Sequence, residues 1–403
     1  MIRLEDFRHI VPDTRLAEIY NRAKKLYGKH IVHINATYQG GGVAEILYSL
    51  VQLMNDVGIN AGWRILHGSQ EFFEITKSFH NALQGARLNL SEKKKRTYLQ
   101  VNDNFSRFTH LHHDCVIVHD PQPLSIIRAY RKIQPWIWRC HIDLTNPHDE
   151  LWDFLKGFML KYDQVVMSSE KYFKEDLPVD QRLMFPAINP LSRKNRDISR
   201  KTMLEHIKKV GVPTDKPVIT QVSRLDPWKD PEGVIDVFKM VKEKVDCRLV
   251  FCYNVASDDP EGLQMYRKVN RKANKLINTK DIIFVVGNNE TLVNSIQRFS
   301  DVIIQKSIRE GFCLCVTEAL WKGTPVVASN IGGIPYQIDD GRSGFLVEPQ
   351  DNKGFAERII HILQNPDEAK AVGEKAKEKV RKEFLITRLL SDYLDMLNSI
   401  MSE

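Results

Sequence analysis

"HIVHINATYQGGGVAEILYSLVQLMNDVG", residues 30–58, holds three patterns in one run. An apolar stretch comes first, a glycine triplet interrupts it, and apolar residues then recur at Ile46, Leu47, Leu50 and Leu53. Near-continuous hydrophobicity suits a strand buried on both faces, and the later spacing fits one face of an α-helix. The segment reads as strand, tight turn and helix, the opening of a βα unit.

Further strand-like runs follow at "AGWRIL" (61–66), "CVIVHD" (115–120), "WIWRCHI" (136–142) and "QVVMSS" (164–169), with helical stretches between several of them. Such alternation predicts a parallel sheet covered on both faces. A polar, proline-marked stretch, "PAINPLSRKNRDISRK" (186–201), then breaks the pattern. A second series begins after it: "PVITQVS" (217–223), "CRLVFCY" (247–253), "DIIFVVG" (281–287), "DVIIQKS" (301–307), "TPVVAS" (324–329) and "GFLVEP" (344–349). With 403 residues, the chain exceeds what one hydrophobic core usually serves. The expected fold class is α/β, with two doubly wound Rossmann-like domains, 1–195 and 196–403, facing each other across a cleft. The helical, Lys/Glu-rich segment from Pro366 onward ends in a helix that is expected to pack back on the first domain.

Composition narrows the function. Hydrophobic residues make up 42% and charged residues 27%, a globular balance. The formal charge of +7 is mild and is not gathered into a long basic block, which argues against nucleic acid as a partner. "EKKKR" (92–96) reads as a solvated helix face. No long uncharged apolar run is present and residues 1–16 lack the pattern of a signal peptide, so a cytoplasmic protein without membrane contact is expected. The six cysteines, at 115, 140, 247, 252, 313 and 315, include no CxxC pair, which argues for reduced thiols and against structural zinc.

Three loops hold residue types suited to chemistry. In "QGGGVAE" (39–45), Gly40, Gly41 and Gly42 allow close backbone approach and expose N–H groups at a helix start, where an anion is favoured. Taken alone, they are equally well an ordinary strand-to-helix turn. "QVSRLDPWKD" (221–230) sets Arg224 and Lys229 just past a strand's carboxyl end, where a planar fork and a point charge suit a diphosphate. "SIREGFCLCVTEALWKGTPVVASNIGGIP" (307–335) carries Glu310 on a loop and Glu318 in a helix expected to begin near Thr317 and Glu318. Carboxylates accept paired hydroxyls, as sugars present them, and a helix N-terminus favours phosphate. Either acid alone has a plain structural reading, but the conjunction with Arg224 and Lys229 points to a nucleotide-sugar site.

Here the sequence resembles the retaining nucleotide-sugar glycosyltransferases of the GT-B fold, in the branch with a Glu-x7-Glu signature. "EGFCLCVTE" (310–318) fits that spacing, and "SNIGGIPYQIDDGRSGFLVEPQD" (329–351) resembles the segment that normally follows. Within the branch, "VHDPQPL" (118–124) and "RCHIDLTNP" (139–147) are similar to the trehalose-forming members, glycosyltransferring synthases first and trehalose phosphorylases second. The likeness covers nearly the whole chain. One departure is Cys313 and Cys315, where the family usually has Gly and Thr or similarly small residues. Neither thiol has a His or Cys neighbour in sequence that would complete a metal site.

The resemblance implies glucosyl transfer, with retention, from a nucleoside diphosphate glucose such as UDP-glucose or ADP-glucose to free glucose, giving α,α-trehalose in a reversible reaction. By the same resemblance, Arg224 and Lys229 would hold the donor diphosphate, and Gly41 and Gly42 would approach the phosphates. Glu318 would take the ribose hydroxyls. Glu310, with the backbone of Gly311, Phe312, Cys313, Leu314 and Cys315, would take the transferred glucose. His141 would reach the donor sugar, with Asp120, Gln122 and Asp143 shaping the sugar subsites. Phosphorolysis of trehalose, or sugar and nucleotide binding without turnover, are the rival readings. No Asp-x-Asp cluster lies beside the phosphate motifs, so no obligatory metal or other cofactor is expected, with Mg2+ at most a stimulator through the nucleotide. A homodimer is compatible with the sequence.

Overall fold

The computed structural model describes residues 2–39, 41–254 and 260–402; Gly40, one of the turn glycines, lies outside them. The chain divides into two compact units, Met1–Ala187 with Ile386–Glu403 and Ile188–Leu385. The division thus precedes the expected 195/196 boundary, and the final helix, Ile386–Ile400, counts with the first unit.

The first unit contains β1 (His30–Asn35), β2 (Asn60–Ile65), β3 (Cys115–His119), β4 (Trp136–Arg139), β5 (Gln164–Met167) and β6 (Asp180–Leu183) in the order β2-β1-β3-β4-β5-β6. All neighbours pair in parallel. The central strands β3, β4 and β5 are buried along their whole length, which is why they read as unbroken apolar runs. Strand β6 escaped the sequence reading. Its residues, "DQRL", sit half-buried at the sheet edge and carry no apolar run to detect.

Alternation along the strands divides this sheet into two faces. Val32, Ile34, Val116, Val118, Trp136 and Trp138 face one core, closed by Phe72 and Phe79 of the helix Gln70–Leu83 and by Tyr98 of the helix Glu92–Phe108. The opposite face carries His33, His119 and Arg139, against which Tyr393 of the helix Ile386–Ile400 packs its ring, 5.7 Å from that of His33.

The second unit contains β7 (Val218–Arg224), β8 (Arg248–Asn254), β9 (Ile282–Val286), β10 (Val302–Gln305), β11 (Val326–Ser329) and β12 (Phe345–Val347), in the order β12-β11-β10-β7-β8-β9. It too is parallel throughout. The helix Pro231–Lys242 buries Val234, Ile235, Val237, Phe238 and Val241, and the helix Asn352–Gln364 buries Phe355 and Ile359, in a core shared with Leu249, Phe251 and Val302. Among the described residues no helix is long and apolar enough to cross a membrane. All six cysteines are free thiols.

Candidate functional site

Each sheet reverses its direction of growth once. In the first, β2 lies on one side of β1 and β3 on the other; in the second, β8 lies on one side of β7 and β10 on the other. Open parallel sheets bind ligands outside the carboxyl ends of the strands at such reversals. Gly41, Asp120 and Gln122 follow β1 and β3, and Arg224, Lys229 and Glu310 stand at or after the ends of β7 and β10, at these two places; His141 and Asp143 follow the neighbouring β4.

In the second unit β7 ends at Arg224, and a short turn, Pro227–Lys229, follows. Asp226 builds the turn by accepting the Trp228 N–H at 2.8 Å, and its other oxygen lies 3.1 Å from the Arg224 guanidinium. Arg224 is otherwise open, with 55% of its side chain exposed. Gln221 donates to the Lys229 carbonyl at 2.7 Å, and the Ile308 N–H to the Trp228 carbonyl at 2.7 Å, so the loops after β7 and β10 are tied together. That tie brings the Lys229 ammonium onto the Glu310 carboxylate as an ion pair. Ser307 donates to the same carboxylate at 3.3 Å. Burial alone would lower the Lys229 pKa, but the adjacent Glu310 charge outweighs it and holds the amine protonated.

After Glu310 the chain turns sharply through Cys313, whose φ of 73° lies in the left-handed region that suits glycine. The helix begins at Leu314 and runs to Trp321, not near Thr317 as expected. Cys313 is its N-cap without any side-chain cap bond, so no Ser, Thr, Asp or Asn marks the start. Glu318 consequently sits in the helix body, only 1% exposed, where Lys194 lies 3.0 Å from one oxygen and Gln297 donates to the other at 3.2 Å. Burial raises the Cys313 thiol well above its ordinary pKa, and the Glu310 charge raises it further; Cys315 is pushed up to about 12 by burial. Both are therefore thiols, not thiolates. Phe312 is buried, its carbonyl accepts from Gln337, and Leu314 is half-buried. A Cβ on Gly333 would lie 2.8 Å from the Gly311 carbonyl, so glycine at 333 is what lets the chain pass so close to this turn.

In the first unit, Gly41 is the N-cap of the helix Gly42–Asp56 and is fully extended. A Cβ there would meet nothing within 4 Å, so the protein's own packing does not require glycine at 41. Asp120 follows β3 in a left-handed conformation, φ 62°. It accepts the His141 N–H at 2.8 Å, its own N–H donates to the Arg139 carbonyl at 2.9 Å, and its carbonyl accepts from Trp138 at 3.0 Å. Burial raises its carboxyl to about 7, against the lowering effect of the His141 N–H. The Pro121 carbonyl accepts from Tyr98 at 2.7 Å and the Gln122 carbonyl from Asn102 at 3.1 Å, which fixes this loop on the helix Glu92–Phe108. Asp143 is buried and accepts two bonds from Thr145, at 2.8 and 2.6 Å, through one oxygen, while Oδ2 has no partner among the described residues. His141 stacks on His119, ring centroids 5.5 Å apart, and burial pushes its pKa well below the ordinary histidine value, with the Arg139 charge acting the same way.

The structure thus gathers Asp120, Gln122, His141 and Asp143 in the first unit, and Arg224, Lys229, Glu310 and Glu318 with the turn residues in the second. Lys194 and Gln297, which hold Glu318, were not found from the sequence; both lie far from Glu318 along the chain and belong to no motif around it. His33 and His119 were also missed, although "HIVHIN" and "CVIVHD", which form adjacent strands, each place a histidine beside apolar neighbours.

Comparison with known proteins matches this arrangement to one class. Residues 203–379 match the family described as glycosyl transferases group 1, and sucrose-phosphate synthase from Thermosynechococcus elongatus superposes with a TM-score of 0.74 at 16% identity, covering 93% of this chain and 99% of that one. The fold is GT-B, and the protein is a glycosyltransferase. Residues 33–174 match the description "Trehalose synthase, N-terminal domain". Trehalose synthase of Thermococcus litoralis is 47% identical over 401 residues, 98% of this chain and 97% of the relative, and that of Pyrococcus horikoshii is 45% identical over 402 residues, 99% and 96%. The chain belongs to the trehalose synthase family.

Proposed function

We propose that the protein transfers glucose from a nucleoside diphosphate glucose to free glucose, with retention at the donor carbon, giving α,α-trehalose reversibly. One observation carries this reading: in a chain that matches trehalose synthases almost from end to end, the carboxylates of the Glu-x7-Glu segment rest on separate cations, Glu310 on Lys229 and Glu318 on Lys194. Two acids held apart in this way suit two parts of one donor, the transferred sugar and the ribose.

Departure of the nucleoside diphosphate breaks the bond from the sugar C1 to the phosphate oxygen. The acceptor hydroxyl then bonds to C1 from the same face, and its proton goes to the departing phosphate oxygen. Arg224 and Lys229 absorb the charge that develops on the diphosphate, which is where fixed cations contribute most. Lys229 leaves Glu310 for the phosphate as the donor binds, and Glu310 is released to the glucosyl hydroxyls. Gly41 and Gly42 admit the phosphates closely, in keeping with the open space beside Gly41. His141 contacts the donor sugar, and Asp143 offers its free Oδ2 to a sugar hydroxyl within a subsite shaped by Asp120 and Gln122.

The test is product analysis with glucose and a panel of UDP-, ADP- and GDP-glucose, in buffer and in chelator. Trehalose with stoichiometric release of the nucleoside diphosphate, persisting in chelator, is expected. Trehalose breakdown that needs inorganic phosphate and releases no nucleotide would assign phosphorolysis instead. Calorimetric binding of nucleotide without product would assign a regulator, and total loss of transfer in chelator would make a metal obligatory.

A further inference from the structure

We propose that His33 and His119 are positioning residues that fix His141 as its Nδ1–H tautomer, so that His141 presents a hydrogen-bond donor at its free end. The proposal rests on the reading of His141 as a sugar-contacting group.

Because strand side chains alternate and β1, β3 and β4 are neighbours, the three imidazoles lie on one face of the first sheet. They are linked in series. His33 Nδ1 lies 3.0 Å from His119 Nε2, and His119 Nδ1 lies 3.2 Å from His141 Nε2. His33 and His119 are buried completely or nearly so, and burial pushes their pKa values down, that of His33 to about 3. The neighbouring Arg139 guanidinium further disfavours charge on His119 and His141. All three rings are neutral.

A neutral imidazole has one N–H and one bare nitrogen, so it donates through one and accepts through the other. A series of three then has two consistent states, with every bond pointing outward towards His141 or every bond pointing inward towards His33. The inner end decides between them. His33 Nε2 is buried and has no hydrogen-bond partner. In the inward state it is an N–H without an acceptor; in the outward state it is a lone pair without a donor. The bare buried donor is the rarer and costlier of the two. In the outward state His33 Nδ1–H donates to His119, His119 Nδ1–H donates to His141 Nε2, and His141 Nδ1–H is left to donate. Nδ1 of His141 has no hydrogen-bond partner among the described residues. A histidine so fixed donates to a sugar oxygen and does not act as a base at that atom.

Free histidine in water favours the opposite, Nε2–H, tautomer, which makes the effect visible. Full-length protein labelled with 15N at histidine, without substrate, is examined by long-range 1H–15N correlation, with His33→Gln, His119→Gln and His141→Gln assigning the rings. Nδ1–H signals for all three rings are expected in the wild type. In His119→Phe the His141 signals shift towards Nε2–H, and His119→Gln, whose amide both donates and accepts, restores Nδ1–H. An Nε2–H tautomer at His141 in the wild type, with the His33 Nε2–H directed at the Tyr393 ring, overturns the proposal. So does a His141 tautomer that is indifferent to His119→Phe. Should His119→Phe fail to fold, the wild-type spectrum decides alone. Since no substrate is present, absence of trehalose synthesis would sink the proposed reaction and leave this result standing, and the converse also holds.

Discussion

Numbered within each unit, the two sheets differ in strand order, 2-1-3-4-5-6 against 3-2-1-4-5-6, yet both reverse beside their first strand, and the two reversal points are furnished with opposite chemistry. Beside β1 and β3 stand three neutral imidazoles and a carboxyl whose proton is held up to about pH 7. Beside β7 and β10 stand full charges in pairs, Lys229 with Glu310 and Arg224 with Asp226, and Glu318, in the helix that follows, pairs with Lys194 from a turn before β7. Topology sets where the loops meet, and residue type sets what they do. Neutral groups suit recognition of hydroxyls, whose dipoles they can match one by one, whereas charges suit a diphosphate.

The largest expected effects fall on the charged side. Arg224→Ala and Lys229→Ala should each lower kcat by about 10²–10³ in a transfer assay. They should part in stability: Arg224 is exposed, so its loss leaves the melting temperature unchanged, whereas loss of Lys229 strands a carboxylate that is only 11% exposed and costs about 2 kcal/mol. Retention of more than about a third of wild-type kcat by either variant removes that residue from the mechanism, being under ~1 kcal/mol.

Next come the two acids. Glu318→Ala should weaken binding of the free nucleoside diphosphate by about 1.5–3 kcal/mol in calorimetric titration. Glu310→Ala should leave that binding nearly unchanged and depress kcat instead, because its sugar contact matters most as the glucosyl unit moves. Equal loss of nucleotide affinity in both variants ends the division of labour.

The neutral side should reveal itself through pH. His33 and His119 have folded pKa values below the unfolded 6.5, so their contribution is present above pH 6.5 and is lost on acidification, for His33 by about 2 kcal/mol at pH 5. Asp120 acts in reverse: its folded pKa of about 7 exceeds the unfolded 3.8, so its contribution is full below pH 3.8 and fades as pH rises to 7. Asp120→Asn, which tolerates the left-handed backbone at this position, removes that opposing effect. Urea unfolding at pH 7 and pH 5 should show a steeper acid loss in the variant, by about 2 kcal/mol. A shallower loss contradicts the neutral assignment.

The smallest effect concerns Cys313. Glycine relieves its left-handed backbone but gains freedom when unfolded, so Cys313→Gly should stabilise by only about 0.5–1 kcal/mol in thermal melts. A fall in melting temperature would show that the thiol's packing outweighs the strain.

Much of this comparison was legible in the sequence. The buried parallel strands announce themselves because both faces are apolar, as in "CVIVH", and Arg224, Lys229 and Glu310 stand at or just past strand ends. What stayed hidden has a common cause. Strand β6 has an edge position and no apolar signal, and the helix at Leu314 starts from a backbone conformation that a cysteine does not advertise. The supports of Glu318 and His141 arrive from distant segments. Tertiary partners of a buried charge leave no local pattern.

The helix Ile386–Ile400 has one more consequence, for the birth of the molecule. It buries Leu389, Leu390, Tyr393, Leu394, Met396 and Leu397, yet it belongs to a unit whose other residues precede Ile188. Domains of a growing chain usually fold in the order in which they leave the ribosome. Here the second unit is continuous and is complete once Leu385 has emerged, while the first still waits for the helix that covers its histidine-bearing face. The unit begun first therefore waits on a segment made after the second unit, and until that helix emerges the sheet face bearing His33, His119 and Arg139 lacks the cover of Tyr393.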